Sequence, residues 1–428
     1  IGSFDNKLDI NSSYPSDGSV NADAPGAIFL RETEGNLRVG LITSGTDVNL
    51  WAVNGAIVDD DTDNSNDIDA PSALLFGATG VGAADNALET TVGNLEGSGG
   101  TGGIWIDNTG DLTIGGIETD LGETTNGLLA TTDIVIRALS SITVVEDIST
   151  GGKIILTATE SLEPGDDITI TSGVKVRSTG DDIIFYFGDD FTLEVDALIK
   201  TIGDVYIYAD FGGFDPVDGS IINKDPGVGS IITIYGTIEA NDLIIQGAGD
   251  KDYIYNYGTI KLGNTVYIYG EETEDEIILT NTLWAKKIVI DGKGGDDVII
   301  IDIQPPESLV GHVYIYGGGG EDLIIINKLQ SRTDPVDIDG GEGRDLYFIN
   351  TRGEGTDQLT RIYDTGTSGV DEVTINGTSA GDVFLLRAMA LPNQTTPDTG
   401  FVAKLNDTDS DSDYEAVDGY NFRGIEWI

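Results

Sequence analysis

IVIDGKGGDDVIII (288–301), VYIYGGGGEDLIII (313–326) and VDIDGGEGRDLYFI (336–349) are three copies of one unit. Each is a short alternating strand, a glycine-aspartate turn and a continuous apolar run. Their starts lie 25 and 23 residues apart. Looser copies flank them: LIIQGAGDKDYIYN from Leu243, VYIYGEETEDEIIL from Val266 and IYDTGTSGVDEVTI from Ile362. A sustained period near 23 marks a solenoid, in which one coil cannot bury its apolar face alone.

Within a coil, alternation places Val313 and Ile315 inward and Tyr314 and Tyr316 outward. Gly317 to Gly320 cannot continue the strand and tolerate positive φ. Leu323 to Ile326 form a second strand. Strands a whole coil apart run parallel, which suits continuous apolar runs. After the turn, Ile299, Ile301, Ile324, Ile326, Tyr347 and Ile349 are expected to face inward. Ile278, Ile300, Ile325 and Phe348 then form an outward apolar stripe, to be covered by residues 384–402 or by a neighbouring copy. A register error of one residue would exchange the two sets.

The turn fits the nonapeptide G-G-x-G-x-D-x-U-x. Gly317, Gly318, Gly320, Asp322 and Ile324 fill every fixed position, as do Gly340, Gly341, Gly343, Asp345 and Tyr347. Gly292, Gly295, Asp297 and Ile299 fit in the first copy, where Lys293 replaces the second glycine. Looser copies carry Asp252, Asp275, Asp371 and Asp382. The stretch resembles the repeats-in-toxin family of secreted bacterial proteins. That resemblance implies Ca²⁺ shared by turn carbonyls and aspartates of stacked coils. Coils in that family are about 18 residues with a turn on each side, so the present spacing implies a larger β-helix with at most one column of sites. A second reading stays open, in which Gly and Asp simply make tight turns.

Residues 132–187 are strand after strand, broken by Gly, Asp and Ser. Their G-x-I-x-L/V rhythm resembles the filamentous-haemagglutinin-type repeats of large secreted bacterial adhesins, over roughly residues 26–200. That resemblance implies a right-handed β-helix. A longer repeat is visible earlier: IGSFDNKLDI (1–10) parallels VGAADNALET (81–90), and GAIFLRETEGNLRVGLI (26–42) parallels GGIWIDNTGDLTIGGI (102–117). Between them, Asp59, Asp61 and Asp63 lie in an acidic loop that either is solvated or holds a cation.

Composition narrows function. Seventy-four acidic residues against 22 basic ones give a formal charge of −52. Such a surface repels nucleic acid and anionic membranes; its self-repulsion calls for bound cations or high salt. There is no cysteine, so no disulfide or thiolate metal site forms. No apolar run reaches membrane-spanning length. An extracellular solenoid fits this composition, and so does a halophilic source. Ile1 is not an initiator methionine, which reads as a processed or excerpted piece. Neither end reads as capped, so head-to-tail growth is expected.

NDTDSDSDYEAVD (406–418) is a second cation candidate. Asp407, Asp409, Asp411 and Asp413 occupy alternate positions, and the segment resembles an EF-hand loop. Ser412 replaces its glycine, and Asp418 replaces the closing glutamate. Catalysis finds little support. His312 is the only histidine, which argues against a Ser-His-Asp relay. Carboxylate pairs such as Asp166-Asp167 and Asp181-Asp182 lie in repeated turns, whereas an active site is normally singular.

The expectation is an all-β, right-handed parallel β-helix with coils of roughly 20–24 residues, about 18–20 coils in all. Residues 1–130 are irregular coils with a duplicated multi-coil unit. Residues 131–240 are haemagglutinin-like coils with an inserted loop near 210–230. Residues 241–383 carry the Gly/Asp turns. Residues 384–428 are an irregular segment with an acidic loop and a terminal strand, and 384–402 reads as a short helix or packing loop. The expected role is structural: a Ca²⁺-stabilised segment of an extracellular bacterial surface filament, layer or adhesin, associating with itself and not an enzyme. A glycan-binding adhesin module is the alternative, with a cell-surface or glycan partner. A polysaccharide lyase or hydrolase ranks last.

Overall fold

The computed structural model describes residues 1–3, 5–12, 18–117, 127–162, 164–214, 220–224, 226–303, 310–327, 335–351, 358–377, 383–389, 399–406, 415–423 and 425. No helix occurs among them. The chain is all-β, and its parallel strands wind into a β-solenoid of about 14 turns. It divides into two compact units, Ile1–Asp225 and Pro226–Ile428. The division falls in the Gly/Pro/Asp-rich segment expected to interrupt the coils.

In the C-terminal unit the first coils have three strands each. Ile231–Ile234, Thr237–Ala240 and Leu243–Ala248 make one coil; Tyr253–Asn256, Thr259–Leu262 and Thr265–Glu271 make the next. Strand Glu276–Gly294 then runs through all three positions of a coil. Later coils are described by two strands: Val298–Ile303 with Val310–Gly319, Leu323–Asn327 with Val336–Glu342, and Leu346–Asn350 with Gln358–Tyr363. Every pairing between these coils is parallel, and the registers step Ile254 to Ile277 to Ile299 to Ile324 to Tyr347 to Val373.

That row is the reason for the fold. All six side chains are buried, as are Ile301, Ile326 and Ile349 in the row beside it. Ile268, Ile290, Ile315, Ile338 and Ile362 form the facing row. Burying one such side chain contributes roughly 1.5–3 kcal/mol, and each gains it only when the next coil is in place. Ile278, Ile300, Ile325 and Phe348 lie on the outer face in register, half-buried against one another. The inward and outward sets are therefore as alternation predicts.

Tyrosines occupy the outward positions of the turn-side strands. Tyr267 and Tyr269 stack at 6.3 Å between ring centroids, and Tyr314 and Tyr316 at 6.5 Å. The Lys287 ammonium lies over both Tyr267 and Tyr314. Such rings cover sheet surface while keeping a polar tip in water.

The N-terminal unit has less regular steps. Ile28 pairs with Val48 and Val48 with Ala73; further on Ile104 pairs with Ile134, and Ile134 with Ile154. The step ranges from 18 residues, Leu88 to Ile106, to 31, Gly97 to Leu128, a wider spread than the expected 20–24. Wider coils, and a C-terminal segment that leaves the parallel pattern, reduce the count from the expected 18–20 to about 14. The two copies of the longer repeat share local geometry. Gly2 (φ +67°) and Gly82 (φ +63°) open isolated bridges Ser3–Asn6 and Ala83–Asn86. Leu8 pairs with Leu30 as Leu88 pairs with Ile106.

Residues 384–402 correct the sequence reading. Val383–Met389 pairs antiparallel with Thr399–Asn406, which pairs antiparallel with Glu415–Arg423. The last strand rejoins Gln358–Tyr363 in parallel. The segment was expected to be a short helix or packing loop; its described parts, Val383–Met389 and Thr399–Asn406, are strands.

Candidate metal centre

The turn aspartates form one buried column. Asp252, Asp275, Asp297, Asp322 and Asp345 are at most 1 % exposed, and Asp371 is 5 % exposed. Each carboxylate reaches back one coil. Asp275 Oδ1 accepts the backbone N–H of Asp252 at 2.8 Å, Asp297 Oδ1 that of Asp275 at 2.7 Å, and Asp322 Oδ1 that of Asp297 at 2.8 Å. Asp345 Oδ1 accepts from Asp322 and Asp371 Oδ1 from Asp345, both at 2.9 Å. The first N–H is that of Ser230, held by Asp252 at 2.7 Å.

The second oxygen occupies a niche that only glycine leaves open. Gly247, Gly270, Gly292, Gly317 and Gly340 each precede a column aspartate by five residues. A Cβ at any of them would lie 2.0–2.4 Å from that aspartate's Oδ2. The carbonyl oxygen of Gly317 also faces the niche at Gly292, and that of Gly340 the niche at Gly317, each 2.6 Å from the same point. Oδ2 of Asp297, Asp322 and Asp345 is buried with no hydrogen-bond partner. An orphan carboxylate oxygen away from water requires a proton or a cation. Burial accordingly pushes the carboxyl of Asp297 up to about 8, Asp345 to about 7 and Asp322 to about 6; backbone N–H bonds oppose the shift and neighbouring carboxylates add to it. The donor set is all oxygen, which suits Ca²⁺ over softer metals.

The glycines of the nonapeptide have separate tasks. Gly292, Gly317 and Gly340 make room for the carboxylates. Gly295, Gly320 and Gly343 turn the chain at φ +112°, +146° and +128°. Gly318 and Gly341 belong to an in-register row with positive φ that continues through Lys293, Glu271 and Ala248. Three side chains therefore sit where L-residues are strained. Ala248→Gly is expected to raise stability by about 1 kcal/mol, since it removes that strain at little cost in packing. A thermal melt checks it, and an unchanged or lower midpoint would mean that no strain is stored there.

At the last coil the pattern changes. Asp345, Asp364 and Asp371 bring carboxylate oxygens within 4.8 Å of one another. Asp364 is 9 % exposed. Its Oδ2 accepts the Tyr347 hydroxyl at 2.8 Å, its Oδ1 accepts the Gly366 N–H, and Gly340 N–H donates to the Tyr347 oxygen at 2.7 Å. Sequence reasoning placed Asp345 and Asp371 on the column and missed Asp364, which stands outside the nonapeptide.

Other candidates differ. In the acidic loop Asp61 and Asp63 are exposed, and successive backbone N–H groups donate to Asp59, Asp61 and Asp63 as a run of Asx turns. Asp59 turns inward, accepts from Asn86 at 2.8 Å, and clusters with Asp67 and Glu89; burial lifts Asp67 to about 9. Asp382, Asp407, Asp409, Asp411 and Asp413 lie outside the described residues. Asp418 falls within strand Glu415–Arg423, opposite Gln358. His312 stacks on Tyr314 and lies 2.8 Å from Asp337, which Arg361 holds through two nitrogens. Among the described residues no helix is long and apolar enough to cross a membrane.

Comparison with known proteins finds no match: no family model, no curated protein and no solved structure is significantly similar to the chain.

Proposed function

We propose that the chain is a structural segment of an extracellular surface filament, layer or adhesin, with Ca²⁺ neutralising its aspartate column. One observation carries this reading. The candidate site recurs in register coil after coil, from Asp252 to Asp371. Repetition serves cohesion between coils, whereas chemistry on a substrate needs a single constellation. Electron microscopy of native material tests the proposal: continuous fibres or sheets built of this chain are expected, and isolated single particles would overturn it.

Self-association draws on the half-buried row Ile278, Ile300, Ile325 and Phe348, an apolar stripe that monomeric proteins seldom leave in water. The double variant Ile325→Lys, Phe348→Lys is expected to abolish lateral association while leaving the fold intact, because both side chains point away from the core. Sedimentation and far-UV circular dichroism together read this out. Unchanged assembly would remove the stripe as an interface.

A further inference from the structure

We propose that Asp345, Asp364 and Asp371 form a single closed Ca²⁺ site, distinct in construction from the repeated cells of the column. Three departures from the repeat coincide there. Val336 pairs with Thr360 and Ile338 with Ile362, and continuing that register by two residues puts Asp364 opposite Gly340. The residue that elsewhere vacates a niche is thus replaced by a second carboxylate. The core row Ile299–Ile324 continues into Tyr347, which brings a hydroxyl to the same place. The spacing from the niche position to the column aspartate lengthens from five residues to seven, Asp364 to Asp371.

The chemistry follows from these changes. Asp345 is fully buried, and its Oδ2 has no hydrogen-bond partner. That oxygen and the Tyr347 hydroxyl oxygen each lie 2.3 Å from the same point, the place a Cβ on Gly340 would take. The hydroxyl in turn donates to Asp364, so the orphan oxygen faces the cluster. The bonds to Asp364 and Asp345 come from backbone N–H groups and this hydroxyl, and among the described residues no ion pair reaches either of these two. Up to three negative charges at such separation need an opposite charge. A hard, all-oxygen set selects Ca²⁺ or Mg²⁺, and the low exposure leaves little room for the waters Mg²⁺ retains, which favours Ca²⁺. The inference rests on the proposed function for the identity of the ion and shares Asp345 and Asp371 with its column; Asp364 and Tyr347 are its own.

The test uses the full chain, stripped of metal and reloaded with Ca²⁺ alone, with bound ions counted by equilibrium dialysis. Asp364→Asn is expected to lose one ion, and Asp322→Asn to leave this one in place. If the wild type binds several ions and Asp364→Asn loses none, the end site is wrong and the column reading stands. If the wild type binds one ion and Asp364→Asn loses it, the end site stands and the column is not a calcium column. If no ion binds, both fail. Should Asp364→Asn not fold, Tyr347→Phe decides, because it keeps all three carboxylates. With Tb³⁺ as probe, Tyr347→Phe is expected to hold the same number of ions but lose most of the tyrosine-sensitised emission. Unchanged emission would place the ion elsewhere.

Discussion

Chelation of Ca²⁺ at pH 8 and low salt is expected to lower the melting temperature by about 10 °C or more, and acidifying the chelated protein to pH 5 to restore much of the loss. Both halves come from one column. Burial holds Asp297, Asp345 and Asp322 at about 8, 7 and 6, above the ordinary 3.8 of an aspartate. Carboxyl groups raised in the fold bind protons more tightly there than in the unfolded chain. Their contribution is therefore fully present below about pH 4 and is lost as the pH rises through 6 to 8. A bound cation removes the need for the proton, so the loaded protein should melt at nearly the same temperature across that range. The melts to compare are with and without EDTA at pH 5 and pH 8. Identical melts with and without EDTA at pH 8 would mean that the column is not linked to a cation.

Gly317→Ala is expected to cost about 3 kcal/mol or more, the upper end of what overpacking does in a core. The new methyl carbon would lie 2.2 Å from Asp322 Oδ2 and 2.6 Å from the Gly340 carbonyl oxygen. Neither can retreat cheaply. Asp322 is pinned through Oδ1 to the N–H of Asp297, and the carbonyl belongs to the next coil's backbone. Two residues on, Gly319→Ala meets nothing nearer than the Lys293 carbonyl oxygen at 4.0 Å, and its effect should stay within about 0.5 kcal/mol. The pair shares composition, strand and turn, so it isolates the niche. Equal melting temperatures for the two variants would show that the niche is not tight.

The repeat period, the parallel pairing and the inward set Ile299, Ile324 and Tyr347 were legible because alternation and spacing are linear properties of the chain. The positions of the column aspartates were legible for the same reason. The direction of their side chains was not. A Gly/Asp turn reads alike whether its carboxylate faces solvent or the interior, and the deciding residue is a glycine five positions earlier with no side chain to announce its task. Asp364 was missed because it meets the column only through register across strands, opposite Gly340 at the niche position, which a linear motif does not carry. The strain at Ala248, Glu271 and Lys293 was equally hidden, since in-register positions take whatever φ the neighbouring coils impose. The antiparallel pair Val383–Met389 and Thr399–Asn406 was misread because proline in a segment does not say which elements flank it.

The backbone-to-carboxylate bonds from Ser230 to Asp371 all point the same way along the coils, and this has a mechanical consequence. A coil of the C-terminal unit cannot peel away without breaking one such bond and uncovering one isoleucine row, and each coil presents nearly the same obstacle. Under tension on the chain ends, coils would then release singly, each freeing about 23 residues, or about 80 Å of chain. The unit would behave as a staircase of near-equal force steps, absorbing work one coil at a time.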